Sequence, residues 1–317
     1  MDATTVVLLA VCVALGVALE AYAVRARRAG GLPARSFWLL SAFACLMVVL
    51  GFSFRWHEHY LHFGFLHLTA TLFFIALPFV LRVFVPDKDA FPRRHNTVVW
   101  AMTAVVLVFT LFKFSYVVTY GLPVYQVLPL NACNLAAVAI IVRPFLSNAR
   151  LDNYLLCFGL LGFFMNLIMG VRYGLDQNFY TDVVYESNIT HNIFVTYCVY
   201  MLLSGAIRPD VKRSLQNMFW LIPLFVVYVF TNQIYRFNFF YTGVYENPVV
   251  GLYHLFPTFD ARLFGFTFEF NPLYYVVVLV ATAVVLWLLV WGLSVIARRL
   301  DARATARASE GTPSGIG

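Results

Sequence analysis

Nine stretches of the chain run close to the roughly 20 apolar residues that a helix needs to cross the hydrocarbon core. They fall at residues 4–24, 36–54, 61–82, 97–118, 127–146, 151–171, 189–207, 217–236 and 272–297. This pattern predicts an all-α, polytopic membrane protein of nine transmembrane helices in one domain, residues 1–300. The connections are short except for 172–188 and 237–271. The second of these carries Tyr241, Tyr245, Tyr253, Phe256, Phe259, Phe264, Phe266, Phe268 and Phe270 among few charges. It predicts an interfacial element on the outer face, either a lid or lipid-access surface or an ordinary aromatic belt. Residues 301–317, rich in Ala, Arg, Ser and Gly, predict a disordered cytoplasmic tail.

Composition sharpens the class. Hydrophobic residues make up 62% of the 317 and charged ones 12%, far from the balance of a soluble globular domain. The net charge of +7 is not a nucleic-acid footprint, because its basic residues are divided between alternate connections. One set of connections, with the C-terminal tail, holds 17 of the 22 Lys and Arg, and the other set holds five: Arg55, Lys113, Arg172, Arg236 and Arg262. Cytoplasmic loops collect Lys and Arg, so the N-terminus is expected outside and the C-terminus inside, in a bacterial-type plasma membrane. Ala21-Tyr22-Ala23 imitates a signal-peptidase site, but Arg25, Arg27 and Arg28 follow the apolar run where such a signal has its charge in front. The first span is expected to be retained.

Cys12, Cys45, Cys133, Cys157 and Cys198 all lie within apolar runs, and none forms a C-x-x-C pair. By default they are small buried hydrophobes, with no disulfide framework.

A polar side chain at membrane depth is costly and marks function by default. In the expected topology these residues gather at the outer ends of the spans: Arg55, His57, Glu58, His59 and His62, then Lys113, then Asn131, Cys133 and Asn134. Asn166, Arg172, Asn188, His191, Asn192, Asn232, Gln233 and Arg236 continue the set, while the inner halves look nearly featureless. An outward-opening cavity accounts for this asymmetry; contacts across helices or with the interface are the alternative.

Within the set, Leu128-Pro129-Leu130-Asn131-Ala132-Cys133-Asn134 places a cysteine just after a proline suited to a helix's first turn. A helix starting at Pro129 would hold Cys133 near its positive end, where a thiolate is favoured. Ser187-Asn188-Ile189-Thr190-His191-Asn192 opens the seventh span with Asn188 as N-cap and His191 in the first turn, which favours the neutral imidazole that can take a thiol proton. Both helices start at the outer face, so the two side chains can share a depth. The plainer reading is a packed cysteine and a histidine bonded across helices. The cluster His57, Glu58, His59, His62 and His67 offers at most two ligands on one helix face, so neither a tight metal site nor a cofactor is expected.

Leu-Pro-Leu-Asn-Ala-Cys-Asn at 128–134, Asn-Ile-Thr-His-Asn at 188–192 and Asn-Gln-Ile-Tyr-Arg-Phe-Asn-Phe-Phe-Tyr at 232–241 resemble the YwaF-type bacterial integral membrane proteins and their eukaryotic relative, transmembrane protein 164. The resemblance runs from about the third span to the last. It implies an acyltransferase with membrane phospholipids as donor and acceptor, in which Cys133 carries the acyl group as a thioester and His191 is its base. Many bacterial members have His where this chain has Asn131. On this reading Asn131, Asn134, Asn192 and Asn232 support the oxyanion, and Lys113, Arg172 and Arg236 hold a lipid phosphate. Two other readings use the same residues: a transporter or receptor binding an anionic or lipidic ligand, and a lipid hydrolase with water as acceptor.

Overall fold

The computed structural model describes residues 2–57, 64–86, 88–121, 132–169, 182–235, 255–263 and 265–310. Among these are nine α-helices, one on each predicted segment: α1 (Ala3–Arg28), α2 (Ala34–Ser53), α3 (Phe65–Phe84), α4 (Pro92–Thr119), α5 (Ala132–Val142), α6 (Ala149–Met169), α7 (Asp182–Leu203), α8 (Val211–Tyr235) and α9 (Pro272–Glu310). Five of them, α1 to α4 and α9, are long and apolar enough to cross a membrane by length and composition. Large apolar side chains such as Val7, Leu15, Val17, Val276, Val280 and Leu288 stand exposed on α1 and α9. Such a surface is at home in lipid, not in water. The chain is a multi-pass integral membrane protein.

The α1–α2 hairpin is held by small residues. A Cβ on Gly16 would come within 2.9 Å of the Ala44 carbonyl oxygen, and one on Gly51 within 2.9 Å of Cys12 Cβ. Only glycine lets the two backbones approach so closely. The hairpin is pinned at the N-terminus, where Asp2 accepts from the Thr5 backbone N–H at 2.7 Å and pairs through its other oxygen with His57 Nε2 at 2.9 Å. The Thr5 backbone bond is the main reason that the Asp2 carboxyl titrates below its ordinary value. His57 Nδ1 also lies 3.1 Å from the Thr5 hydroxyl and 2.8 Å from the Phe54 carbonyl oxygen. His57 therefore ties the start of α1 to the end of α2; Glu58, His59 and His62 lie outside the described residues.

The centre of the bundle is α7, which packs on α3, α4, α5 and α6. Phe194, Tyr197, Cys198, Tyr200 and Met201 are fully buried. They share one core with Val106 of α4, Ile140 of α5, Leu155 and Phe158 of α6, and Val290 of α9. A helix buried on every side meets protein instead of lipid, so Asn188, Thr190 and Asn192 can lie within it.

Three sequence expectations change. First, α7 begins at Asp182 and not at residue 189. Asn188 is therefore no N-cap, and His191 stands nine residues beyond the helix start, out of reach of a dipole effect confined to the first turn. Second, the all-α description misses a hairpin within the 237–271 loop: β1 (Phe259–Leu263) pairs antiparallel with β2 (Phe266–Phe270), Phe259 opposite Phe270 and Leu263 opposite Phe266. Gly265, at φ 82°, supplies the turn, and Phe268 packs edge-on against Phe230 of α8 at 5.4 Å. Third, the segment read as a disordered tail continues α9 as far as Glu310, because its Ala- and Arg-rich sequence is a strong helix former. At the other end of α9, the Asn271 side chain accepts from the Tyr274 N–H at 3.0 Å and donates to the Phe256 carbonyl at 3.3 Å. It caps the helix and anchors the hairpin at once.

Candidate functional site

Cys133 and His191 belong to α5 and α7, both of which pack against α6. Against α5 the register is set where Arg143 Nε donates to Asp152 Oδ1 at 3.0 Å. Ten residues back from Arg143 is Cys133, and ten residues on from Asp152 is Gly162. Cys133 and Gly162 are thus each ten residues from this pair along helices that run in opposite directions.

Against α7, the Cys198 thiol donates to the Leu155 carbonyl at 3.3 Å, and a Cβ on Gly159 would lie 2.8 Å from Cys198 Sγ. Continuing along the same pair, a Cβ on Gly162 would lie 3.4 Å from His191 Cδ2. Gly162 therefore lies against His191, and α5 also touches α7 directly. The bare backbone at Gly162 leaves room for the imidazole beside α6, whose ring is flanked by Phe194 at 5.7 Å.

Three further groups surround Cys133. Its thiol donates to Asn134 Oδ1 across 4.0 Å, and the same oxygen accepts from Lys113 Nζ of α4 at 3.3 Å. From α6, the Tyr154 hydroxyl lies within electrostatic range of Cys133. It is buried and has no hydrogen-bond partner among the described residues, while its ring stacks on Phe158 at 4.6 Å. Cys133 itself is half-buried against the central core.

The other sequence-predicted residues divide. Asn131, Arg172 and Arg236 lie outside the described residues, as does Pro129, so the proposed start of α5 and two of the three phosphate contacts do too. Lys113 and Asn134 come together beside Cys133. Asn192 faces elsewhere: it precedes Thr196 by one helical turn, and Thr196 donates to the Phe74 carbonyl of α3 at 2.7 Å. Its amide therefore stands about 100° around α7 from His191, and its Oδ1 is buried with no partner among the described residues. Asn232 of α8 is fully buried.

The basic end of the bundle is far from featureless, contrary to the sequence expectation. Besides its pair with Asp152, Arg143 donates to the Ala206 carbonyl at 3.4 Å. Asn153 Oδ1 accepts from the Asp210 N–H at 2.7 Å and the Ser214 hydroxyl at 3.3 Å, and Asn217 donates to the Arg150 carbonyl at 2.9 Å. His95 Nδ1 lies 3.0 Å from the Tyr200 hydroxyl. Gly205, at φ 73°, ends α7 with the Ala206 N–H returning to the Met201 carbonyl at 3.0 Å. Together these bonds fasten the α5–α6 turn and the start of α8 to the end of α7. A cavity of about 580 Å³ opens here, lined among others by Phe145, Arg150, Tyr154 and Asn217. By sequence Arg143 and Arg150 read only as loop charges; the signal for the network is the acid–amide pair Asp152-Asn153 within the start of an apolar span.

Gly159 and Gly162 carry no reading from the sequence, although small residues inside an apolar span favour close helix contact. No curated protein and no solved structure matches the chain. The model of the TMEM164 family matches residues 56–293, from the end of α2 into α9. Those residues are about three quarters of the sequence and contain Cys133, Asn134, Gly162, His191 and the polar network at the basic end, so the chain belongs to the TMEM164 family.

Proposed function

We propose that this protein transfers acyl chains between membrane phospholipids, with Cys133 as nucleophile and His191 as base. The observations that support this most are the contact of Gly162 with His191 and the ten-residue spacing that relates Cys133 and Gly162 to the Arg143–Asp152 pair. In the first displacement the Cys133 sulfur attacks the ester carbonyl of the donor lipid; the carbon–sulfur bond forms and the carbon–oxygen bond to the glycerol breaks. His191 takes the thiol proton and returns it to the departing lysolipid oxygen. In the second, the acceptor hydroxyl attacks the thioester, its proton passes to His191, and the thiol is restored. Asn134 and Asn232 are the proposed polar support for the tetrahedral oxyanion, with Asn131 a further candidate for it, and Arg172 and Arg236 are retained as candidates around the donor and acceptor headgroups.

The test is chemical. A hydroxylamine-labile acyl group should be recovered on the Cys133 peptide after incubation with labelled phospholipid, and it should form more slowly in His191→Ala. Turnover of the label that persists in Cys133→Ala would remove the reading. Recovery of free fatty acid with no acylated acceptor would move it to hydrolysis.

The topology proposed with this function has nine spans, the N-terminus out and the C-terminus in, which sets Cys133 and His191 nearer the outer leaflet. It is motivated by the 17 to five division of basic residues. Reporter fusions should give external signals at residue 176 and cytoplasmic ones at residue 209. The reverse pair of signals would transfer the site to the other leaflet.

A further inference from the structure

Lys113 was expected to hold a lipid phosphate, and its surroundings suggest a different task. It sits within α4, a helix packed on both α5 and α7. Its ammonium donates to Asn134 Oδ1 at 3.3 Å, and the Cys133 sulfur lies 4.0 Å from the same oxygen. Ammonium and sulfur are therefore separated by no more than about 7 Å.

The chemistry of the bridging amide makes this separation consequential. Asn134 Oδ1 can accept from the thiol only while sulfur keeps its proton. Once the proton leaves, an amide oxygen faces an anion, and the contact turns repulsive. The flexible four-carbon stem of Lys113 can then swing its ammonium from the oxygen towards the sulfur. Away from bulk water such a pair is attractive by several times its strength in solution. A lysine in the outer part of a span can reach the headgroup region by its own stem, yet here the ammonium reaches towards α5 instead.

We propose that Lys113 is the counter-charge of the Cys133 thiolate, delivered through Asn134, and not a headgroup ligand. This rests on the acyltransferase reading for its purpose, though its test needs no lipid. Among the described residues, the titratable or charged groups near Cys133 are Lys113 of α4 and Tyr154 of α6, with Tyr228 of α8 beyond Tyr154 and His191 of α7 against Gly162. Lys113 is the cation in that set whatever the state of the histidine.

The experiment is alkylation of the full-length protein in detergent by iodoacetamide, a neutral reagent, followed peptide by peptide by mass spectrometry. Exposed Cys45 of α2 is the internal reference. At pH 7, Lys113→Met should slow modification of Cys133 about tenfold relative to Cys45, while Lys113→Arg should retain most of the wild-type rate. Raising the pH should restore Lys113→Met, since thiolate can then form unaided. An unchanged rate in Lys113→Met overturns the proposal. So does a rate that stays low at every pH, because the defect is then one of access. Loss of the Cys45 reference rate in Lys113→Met signals misfolding, and Lys113→Gln against Lys113→Arg then decides by the same ratio. Should Cys133→Ala leave lipid turnover intact, the acyltransferase reading fails while the alkylation result still stands or falls alone.

Discussion

Replacing Cys133 and His191 together should cost no more acyl transfer than replacing Cys133 alone. Without the thiol no thioester can form, and Cys133→Ala should fall to background. Without the base the thiol can still attack in its small ionised fraction, so His191→Ala should retain a trace, lower than wild type by about 10² to 10⁴. Residues acting as one unit are strongly non-additive: once the nucleophile is gone the base has nothing to activate. The double variant should therefore match Cys133→Ala in a labelled-lipid assay. A His191→Ala enzyme within tenfold of wild type would remove the histidine from the chemistry. A double variant clearly worse than Cys133→Ala would assign His191 a task that does not pass through the thiol.

Both candidate residues are named by the sequence, but the helix-start argument that paired them does not hold for His191. Cys133 and His191 were matched in depth by supposing that each lies in the opening turn of a helix. For His191 this is wrong, since α7 begins at Asp182. Hydropathy marks where a helix enters lipid, and α7 continues as helix beyond that point, which apolar periodicity cannot register. The contacts that bear on the proposed pair lie along α6: Arg143 on Asp152 at one end, Gly162 against His191 at the other. Such contacts join residues far apart in sequence, and only their types are visible beforehand.

The hairpin was missed for a related reason. Phe-Asp-Ala-Arg-Leu and Phe-Thr-Phe-Glu-Phe, on either side of Phe264-Gly265, alternate in the two-residue period of a strand. The count of aromatic residues in that loop drew attention from their spacing. At the basic end, Arg143 and Arg150 read as loop charges because the loop between α5 and α6 is short. Yet a short loop joining two tightly packed helices brings its charges inward, where they must find partners.

That inward turn makes Asp152 the residue whose loss should most disturb the fold. The side chains of Arg143 and Asp152 are only 15% and 11% exposed, so removing the carboxylate leaves a guanidinium largely out of water with one remaining bond, to the Ala206 carbonyl. Breaking a buried pair from one side typically costs about 3–5 kcal/mol. Asp152→Ala should lower the unfolding midpoint in detergent by several degrees, and Arg143→Ala should do so less severely, because it strands a carboxylate that can protonate. The double Arg143→Ala/Asp152→Ala variant should be more stable than the sum of the two losses, as neighbours that share a bond are coupled. The same pair fixes α5 against α6, so acyl transfer should fall in Asp152→Ala even at temperatures where the protein remains folded, with Cys133 and His191 both in place but α5 no longer held against α6 by that bond. Stability within about 0.5 kcal/mol of wild type would mean that the pair does not hold the register. Unimpaired transfer in a destabilised Asp152→Ala protein would instead break the link between that register and the chemistry.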